Sequence, residues 1–104
     1  MIIIQVIPRD GHDAYKMLRD KVTHGAQTFS WGNKAKTRLY HAKKNSGYIE
    51  VASADNILVA QIYPLDPDPY FLTEKFIGRM VAWFRNDLFA INIQFVPEEK
   101  KKRK

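Results

Sequence analysis

The chain has 104 residues, 45% of them hydrophobic and 12% aromatic, which suits one compact domain, is too short for two, and excludes an intrinsically disordered chain. Lysine and arginine (17) outnumber aspartate and glutamate (11), so the formal net charge is +6. Cysteine is absent, which excludes disulfides, thiolate metal sites and catalytic thiols.

The first two elements along the chain are a predicted strand and a predicted helix. The run Ile2–Ile7 is apolar except for Gln5, which is typical of a strand at the centre of a sheet. Asp10 or Asp13 can then cap a helix that ends near Val22. The helix is expected to bury one stripe of apolar side chains, made by Ala14, Leu18 and Val22.

A loop and three strands are expected next. Residues 26–34 are polar enough to predict a loop, in which Phe29 and Trp31 would be exposed. Alternation of polar and apolar residues then predicts an antiparallel meander of three strands, Lys36–Ala42, Tyr48–Ser53 and Ile57–Tyr63.

The last third of the chain predicts a second helix and a final strand. The proline-rich segment 64–69 indicates a stiff connector, and Asp68 is expected to cap a helix over Pro69–Asn86. The alternating segment Phe89–Val96 predicts the last strand. We expect residues 1–97 to form a single domain and residues 98–104 (EEKKKRK) to form a disordered basic tail.

The predicted order β-α-β-β-β-α-β is typical of an α+β, two-layer domain. We expect a five-stranded, mostly antiparallel sheet with two helices on one face, as a variant of the ferredoxin-like arrangement, a likeness that implies no activity. The uncovered face would carry amides among aliphatic side chains and little charge. A solvated face, an oligomer interface and a ligand surface all fit that composition.

The positive charge is concentrated in two segments. Residues 31–46 contain five basic residues and no acidic one, and residues 98–104 contain five basic residues less two acidic ones, or +3. Segregated basic charge is the usual mark of a protein that binds a polyanion. A tail of this kind would also serve as a nuclear-import signal in a eukaryote, or simply keep the protein in solution.

Residues 29–44 interleave basic groups with aromatic rings. Nucleic-acid binding uses cations for phosphates and flat rings for bases, and this segment supplies both. We therefore predict a site for RNA or DNA, with Trp31 and Tyr40 as stacking rings, made of Trp31, Lys34, Lys36, Arg38, Tyr40, Lys43 and Lys44. A surface loop with Trp31 folded onto the core is the alternative. The RNA-recognition motif itself is not matched, because Glu50 and Ser53 stand where its rings are required.

The turn after the first strand is a second candidate. Arg9, Gly11 and His12 precede a predicted helix, and a helix N-terminus favours anions. Asp10 and Asp13 oppose an anion, however, and helix capping alone explains the turn. A third group of residues, Asp66, Asp68 and Glu74, could bind Mg²⁺, but Asp68 is already needed as the cap.

Motifs for catalysis are not found. The histidines lack metal-ligand spacing, and there is no nucleophile elbow, P-loop or dinucleotide-binding glycine pattern. We predict a non-catalytic binding module for RNA or DNA, with no cofactor and no metal. The alternative is a homodimeric protein–protein interaction module that uses the open sheet face. The short apolar run Met1–Ile4 predicts no membrane association, and we expect a cytoplasmic or, in a eukaryote, nuclear protein.

Overall fold

Six strands and two α-helices form in the computed structural model, which describes residues 1–65 and 68–97. The strands are β1 (Ile2–Pro8), β2 (Phe29–Trp31), β3 (Arg38–His41), β4 (Gly47–Ala54), β5 (Ile57–Pro64) and β6 (Leu88–Phe95). The helices are α1 (Ala14–Thr23) and α2 (Phe71–Phe84), and a 3₁₀ turn, Arg85–Asp87, follows α2. The expected tail, residues 98–104, lies outside the described residues.

The strands make one sheet in the order β2-β3-β4-β5-β1-β6, with every neighbouring pair antiparallel. An α+β domain with one antiparallel sheet and two helices is therefore confirmed. The prediction of five strands is wrong, because the sheet has six. The ferredoxin-like expectation is met only in part, since β2 and β3 extend the sheet beyond β4.

The sixth strand is the segment that we expected to be a polar loop. Phe29 is buried and its ring lies edge-on to Phe76 of α2, with 6.4 Å between ring centroids. Trp31 is half-buried and packs against the same core. Strand β2 forms because Phe29 and Trp31 alternate with the exposed Ser30 and because β3 supplies its hydrogen-bonding partner.

Both helices cover the same face of the sheet. The predicted stripe of α1 is buried, as are Leu72, Phe76 and Met80 of α2. They meet the alternate side chains of the strands, which include Ile4, Val6, Leu39, Ile49, Leu58 and Ile62. Burying each such side chain contributes about 1.5–3 kcal/mol, so this layer is the main source of stability. Within the described residues, neither helix is long and apolar enough to cross a bilayer.

The helix starts depend on two aspartates. Asp13 caps α1 by accepting a hydrogen bond from the backbone N–H of Lys16, at 3.1 Å, as one of the two predicted caps. Asp68 instead accepts from the backbone N–H of Tyr70, at 2.9 Å, and so closes a turn ahead of α2. The predicted start at Pro69 is therefore too early, and α2 begins at Phe71.

Strand β3 also starts later than predicted. Lys36 has φ +58°, a left-handed conformation that ends a turn and cannot continue a strand. The Asp55–Asn56 turn between β4 and β5 has positive φ at both residues, which matches the right-handed twist of the hairpin. These turns fix which side chains of β3, β4 and β5 face away from the helices.

Candidate nucleic-acid interface

The two predicted stacking rings lie on opposite faces of the sheet. In the β2–β3 pair, Trp31 is opposite Leu39, which is buried beneath the helices, whereas Tyr40 is opposite the exposed Ser30. Residues directly opposite each other in an antiparallel pair share a face. Trp31 and Tyr40 therefore cannot contact the same nucleic-acid strand on one surface.

Trp31 is folded onto the core. Its indole Nε1–H donates to the backbone carbonyl of Arg19 in α1 at 3.5 Å, and its ring lies 6.4 Å from that of Tyr15. These contacts agree with the alternative given for residues 29–44, in which Trp31 is folded onto the core. Trp31 thus anchors β2 to α1 and is not available as a stacking platform.

The predicted lysines lie at the two ends of β3. Lys34 and Lys36 are in the turn before the strand, and Lys43 and Lys44 are in the turn after it. The Lys36 carbonyl accepts a hydrogen bond from the Tyr15 hydroxyl at 2.9 Å, which ties the first turn to α1. In the second turn, the Lys43 ammonium lies 4.4 Å from the ring centroid of Phe71. The basic segment is therefore two separate basic turns.

Arg38 lies between the two turns and is already paired. Its Nε–H donates to Glu50 Oε2 at 2.6 Å, and its guanidinium lies 4.4 Å from the ring centroid of Tyr48. Hydrogen bonding to Glu50, followed by that to Tyr40, raises the pKa of Arg38 above its ordinary value. The arginine is thus a charged side chain that supports Tyr48, with its charge balanced by a carboxylate.

Three tyrosines form a row across β3, β4 and β5, on the face that the helices do not cover. The Tyr40 and Tyr48 ring centroids are 6.1 Å apart, and Tyr48 and Tyr63 are stacked at 5.0 Å with 21° between their planes. Tyr40 is 38% exposed, and the other two are half-buried. The Tyr63 hydroxyl donates to Gln61 Oε1 at 3.0 Å, which orients the amide beside the rings. We call these three residues the tyrosine row.

Gly32, which follows β2, leaves room for an edge of the Tyr40 ring beside its backbone. A Cβ at this position would overlap the Tyr40 ring, so any larger residue here would push the ring away.

The rest of this face is rich in amides. Strand register places Gln61, Ile3 and Gln94 in one line across β5, β1 and β6, and Val59, Gln5 and Asn92 in the next. Among the strand residues on this face, Arg38 and Glu50 carry the only charges, and they pair with each other. We call this surface, tyrosine row included, the open sheet face. It matches the face predicted from the alternation of side chains.

The turn between β1 and α1 is used for structure. The Arg9 N–H donates to the backbone carbonyl of Asp87 at 2.9 Å, and His12 Nε2 lies 3.8 Å from Asp87 Oδ1. Gly11 has φ +86°, as the turn requires. Asp13 already accepts from the start of α1, so carboxylates occupy the positions that an anion would need.

The proposed Mg²⁺ residues are not assembled into a site that can be described. Asp68 caps the turn before α2, Glu74 is exposed in the first turn of that helix, and Asp66 lies outside the described residues. Within residues 1–65 and 68–97, His, Asp and Glu form no group of three or more that could hold a metal ion.

Tyr48 and Tyr63 were not among the predicted site residues. Their signal was present, because each takes the outward position of an alternating strand, next to Glu50 and Gln61. What could not be read from the sequence was the strand pairing that aligns them with Tyr40.

Comparison of the chain with protein-family models, with curated proteins and with solved structures finds no match. The functional assignment therefore rests on the residues of the site and their geometry.

Proposed function

We propose that this protein is a non-catalytic module that binds single-stranded RNA or DNA on the open sheet face. The observation that carries the proposal is the tyrosine row, on a face that neither helix covers, in which Tyr40 is the exposed ring and Tyr48, held between Arg38 and Tyr63, supports it. Unpaired bases stack on exposed aromatic rings, each for about 1–3 kcal/mol, whereas paired bases in a duplex do not present their faces.

The turn of Lys43 and Lys44 brings positive charge to one end of the tyrosine row, and the Lys43 ammonium lies over the ring of Phe71 of α2. Tyr40 is the next-to-last residue of β3 and Tyr48 the second residue of β4, so the turn that joins these strands borders the tyrosine row. Cations beside a stacking surface contact phosphates while the bases lie on the rings. This arrangement favours Lys44 over Lys43, whose ammonium lies over Phe71, and over Arg38, whose charge is balanced by Glu50.

The amides of the open sheet face suit the edges of bases. Each amide can both donate and accept hydrogen bonds, as the edges of bases require. Gln61 stands beside Tyr63, and Gln5 and Asn92 lie farther across the sheet with their side-chain amides 3.5 Å apart. Bases stacked on the row would therefore find polar partners on the same face, which a purely apolar face does not offer.

The test compares a ring of the tyrosine row with an exposed side chain on the other side of the sheet. Fluorescence anisotropy of labelled single-stranded RNA and DNA, and of the matching duplexes, measures binding by the full chain. Tyr40→Ala should weaken single-strand binding about tenfold or more, since it removes one stacking ring. Val81→Ala is the control, because Val81 is 44% exposed and lies on α2, on the other side of the sheet from the row. Equal affinities of the two variants would contradict the proposal.

The tail requires its own control. The five basic residues among residues 100–104 attract any polyanion, so a variant with all five replaced by serine is titrated alongside. We expect this variant to bind more weakly at low salt and to keep its preference for single strands. Binding that vanishes with the tail charge would assign the activity to the tail and remove the open sheet face from it.

A homodimer through the open sheet face is the second candidate. The face is nearly free of charge, and Ile3, Ile7 and Val59 on it are half-buried, so apolar area is available for a second sheet. Light scattering at high micromolar concentration tests this. A dimer that Ile3→Lys converts to a monomer would support it, and a wild-type monomer would exclude it.

We also propose that β4, β5, β1 and β6 form a ferredoxin-like core to which β2 and β3 are added. With α1 and α2, these four strands follow the order β-α-β-β-α-β along the chain. Strand β3 carries Tyr40, and Gly32 directly follows β2, so the extension supplies one end of the proposed site.

A further inference from the structure

Within the described residues, strand β6 is a long edge that no other element pairs with, and a register shift between Ile7 and Pro8 of β1 leaves Phe89 as an extra residue near its start. This strand has eight residues, whereas β2 at the opposite edge has three. No charged residue occurs from Leu88 through Val96. Phe89 and Phe95 are 74% and 68% exposed. Proteins normally protect a long edge strand with lysine, proline or a covering element, because its free backbone groups pair readily with another strand.

The backbone groups that point away from the sheet can be identified. Met1 and Val96 exchange both of their backbone hydrogen bonds, at 2.9 and 2.8 Å, so the N–H and C=O of Val96 face β1. Hydrogen-bonded pairs recur at every second residue of an antiparallel ladder. The pairs Ile3–Gln94 and Gln5–Asn92 therefore also bond inward, and Ile91, Ile93 and Phe95 present their backbone groups at the outer edge.

We propose that two copies of this chain join antiparallel through β6, about a two-fold axis that passes beside Asn92. In this register, Phe89 is opposite Phe95 of the partner subunit, and Ile91 is opposite Ile93 of the partner subunit. The outward N–H and C=O groups of one strand then meet those of the other. Both strongly exposed phenyl rings gain a neighbour in the same step.

Three features favour a second copy as the occupant of this edge. The strand is uncharged, so two identical copies meet without repulsion. The register that pairs the outward groups is also the one that pairs Phe89 with Phe95. If the partner strand moved by two residues in one direction, Phe89 would lie opposite Pro97, which has no N–H to donate. If it moved by two residues in the other direction, the charged Asp87 of the 3₁₀ turn would become part of the pairing.

Pairing of this kind would place the two open sheet faces on the same side. A two-fold axis perpendicular to a continuous antiparallel sheet relates equivalent faces, so the dimer would carry two tyrosine rows on one surface. The pairing itself depends only on β6 and stands whether or not the open sheet face binds nucleic acid.

The experiment measures mass by sedimentation equilibrium of the full chain, over a range of protein concentrations. We expect wild type to reach twice its 12.1 kDa. Phe89→Lys with Phe95→Lys should hold the protein at the monomer mass, because lysines then face each other across the axis. Phe89→Glu with Phe95→Lys should restore the dimer, because this register places opposite charges together.

The control adds the same charge elsewhere. Val81→Lys with Ala82→Lys changes two exposed residues of α2 and should leave the dimer intact. Circular dichroism confirms that each variant is folded. A wild-type monomer at all concentrations would overturn the proposal, as would a dimer that survives Phe89→Lys with Phe95→Lys or fails to return with the opposite charges. Oligonucleotide titrations of the same variants report separately on the open sheet face.

Discussion

At the scale of single residues, the proposed binding surface consists of side chains that neighbours hold in place. Tyr40 lies beside Gly32, Tyr48 is held between Arg38 and Tyr63, and Arg38 is itself fixed by Glu50. A ring that is already ordered loses little conformational freedom when a base stacks on it. The proposed surface is thus largely formed before any ligand arrives.

His41 follows Tyr40 on β3, and its side chain lies on the face that the helices cover. Its ring lies between those of Phe29 and Phe71, at 5.1 and 4.9 Å, and its Nδ1 accepts the backbone N–H of Lys43 at 2.9 Å. Burial, followed by the charges of Lys75 and Lys43, lowers the pKa of His41 from its ordinary value of 6.5. At neutral pH the ring is therefore held as the neutral tautomer with its proton on Nε2, since Nδ1 accepts from Lys43.

A pH dependence of stability follows from this histidine. Between the lowered pKa of folded His41 and its unfolded value of about 6.5, the unfolded chain binds a proton that the folded protein does not, so the contribution of His41 to the free energy of unfolding falls as the pH is lowered through that range and is constant above it. His41→Asn should have a lower Tm at every pH but a smaller loss between pH 7.5 and pH 5.5. Thermal denaturation of both proteins at these pH values measures the difference. Parallel curves would show that another group controls the dependence.

At the scale of elements, helices and strands with a long pattern of apolar residues could be predicted from the sequence, and short ones could not. Strand β1 and the buried stripe of α1 follow from periodicity over several residues. Strand β2 has three residues, too few for a period to be recognised, and it exists because β3 pairs with it and α2 covers Phe29. The predicted start of α2 is too early because Asp68, the expected capping residue, closes a turn ahead of the helix.

Phe29 gives the test of β2 as part of the core. Phe29→Ala should reduce the free energy of unfolding by about 3–5 kcal/mol, the usual cost of removing a buried phenyl ring. Tyr70→Ala makes a comparable truncation at an exposed position and should change it by less than about 0.5 kcal/mol. Chemical denaturation of the two variants and wild type provides the values. A small effect of Phe29→Ala would mean that β2 contributes little to the core.

At the scale of the whole molecule, closeness in sequence was a poor guide to a shared surface. The basic residues of segment 31–46 lie at both ends of β3 and in one ion pair, because a strand separates its ends and alternates its side chains between two faces. The open sheet face was predictable for the same physical reason, since alternation alone assigns Gln5, Gln61 and Asn92 to it. Which rings stand together depends on strand register, which a single sequence does not contain.

The most direct measurement maps binding onto the structure residue by residue. The ¹⁵N-labelled full chain is titrated at low salt with a short single-stranded RNA of mixed sequence, and then with the corresponding DNA, while amide chemical shifts are recorded. We expect the largest changes at Tyr40, Tyr48 and Tyr63 and in the turn that carries Lys43 and Lys44, with α1 unaffected. Changes confined to residues 98–104 or to α1, or no change with either oligonucleotide, would contradict a nucleic-acid interface on the open sheet face.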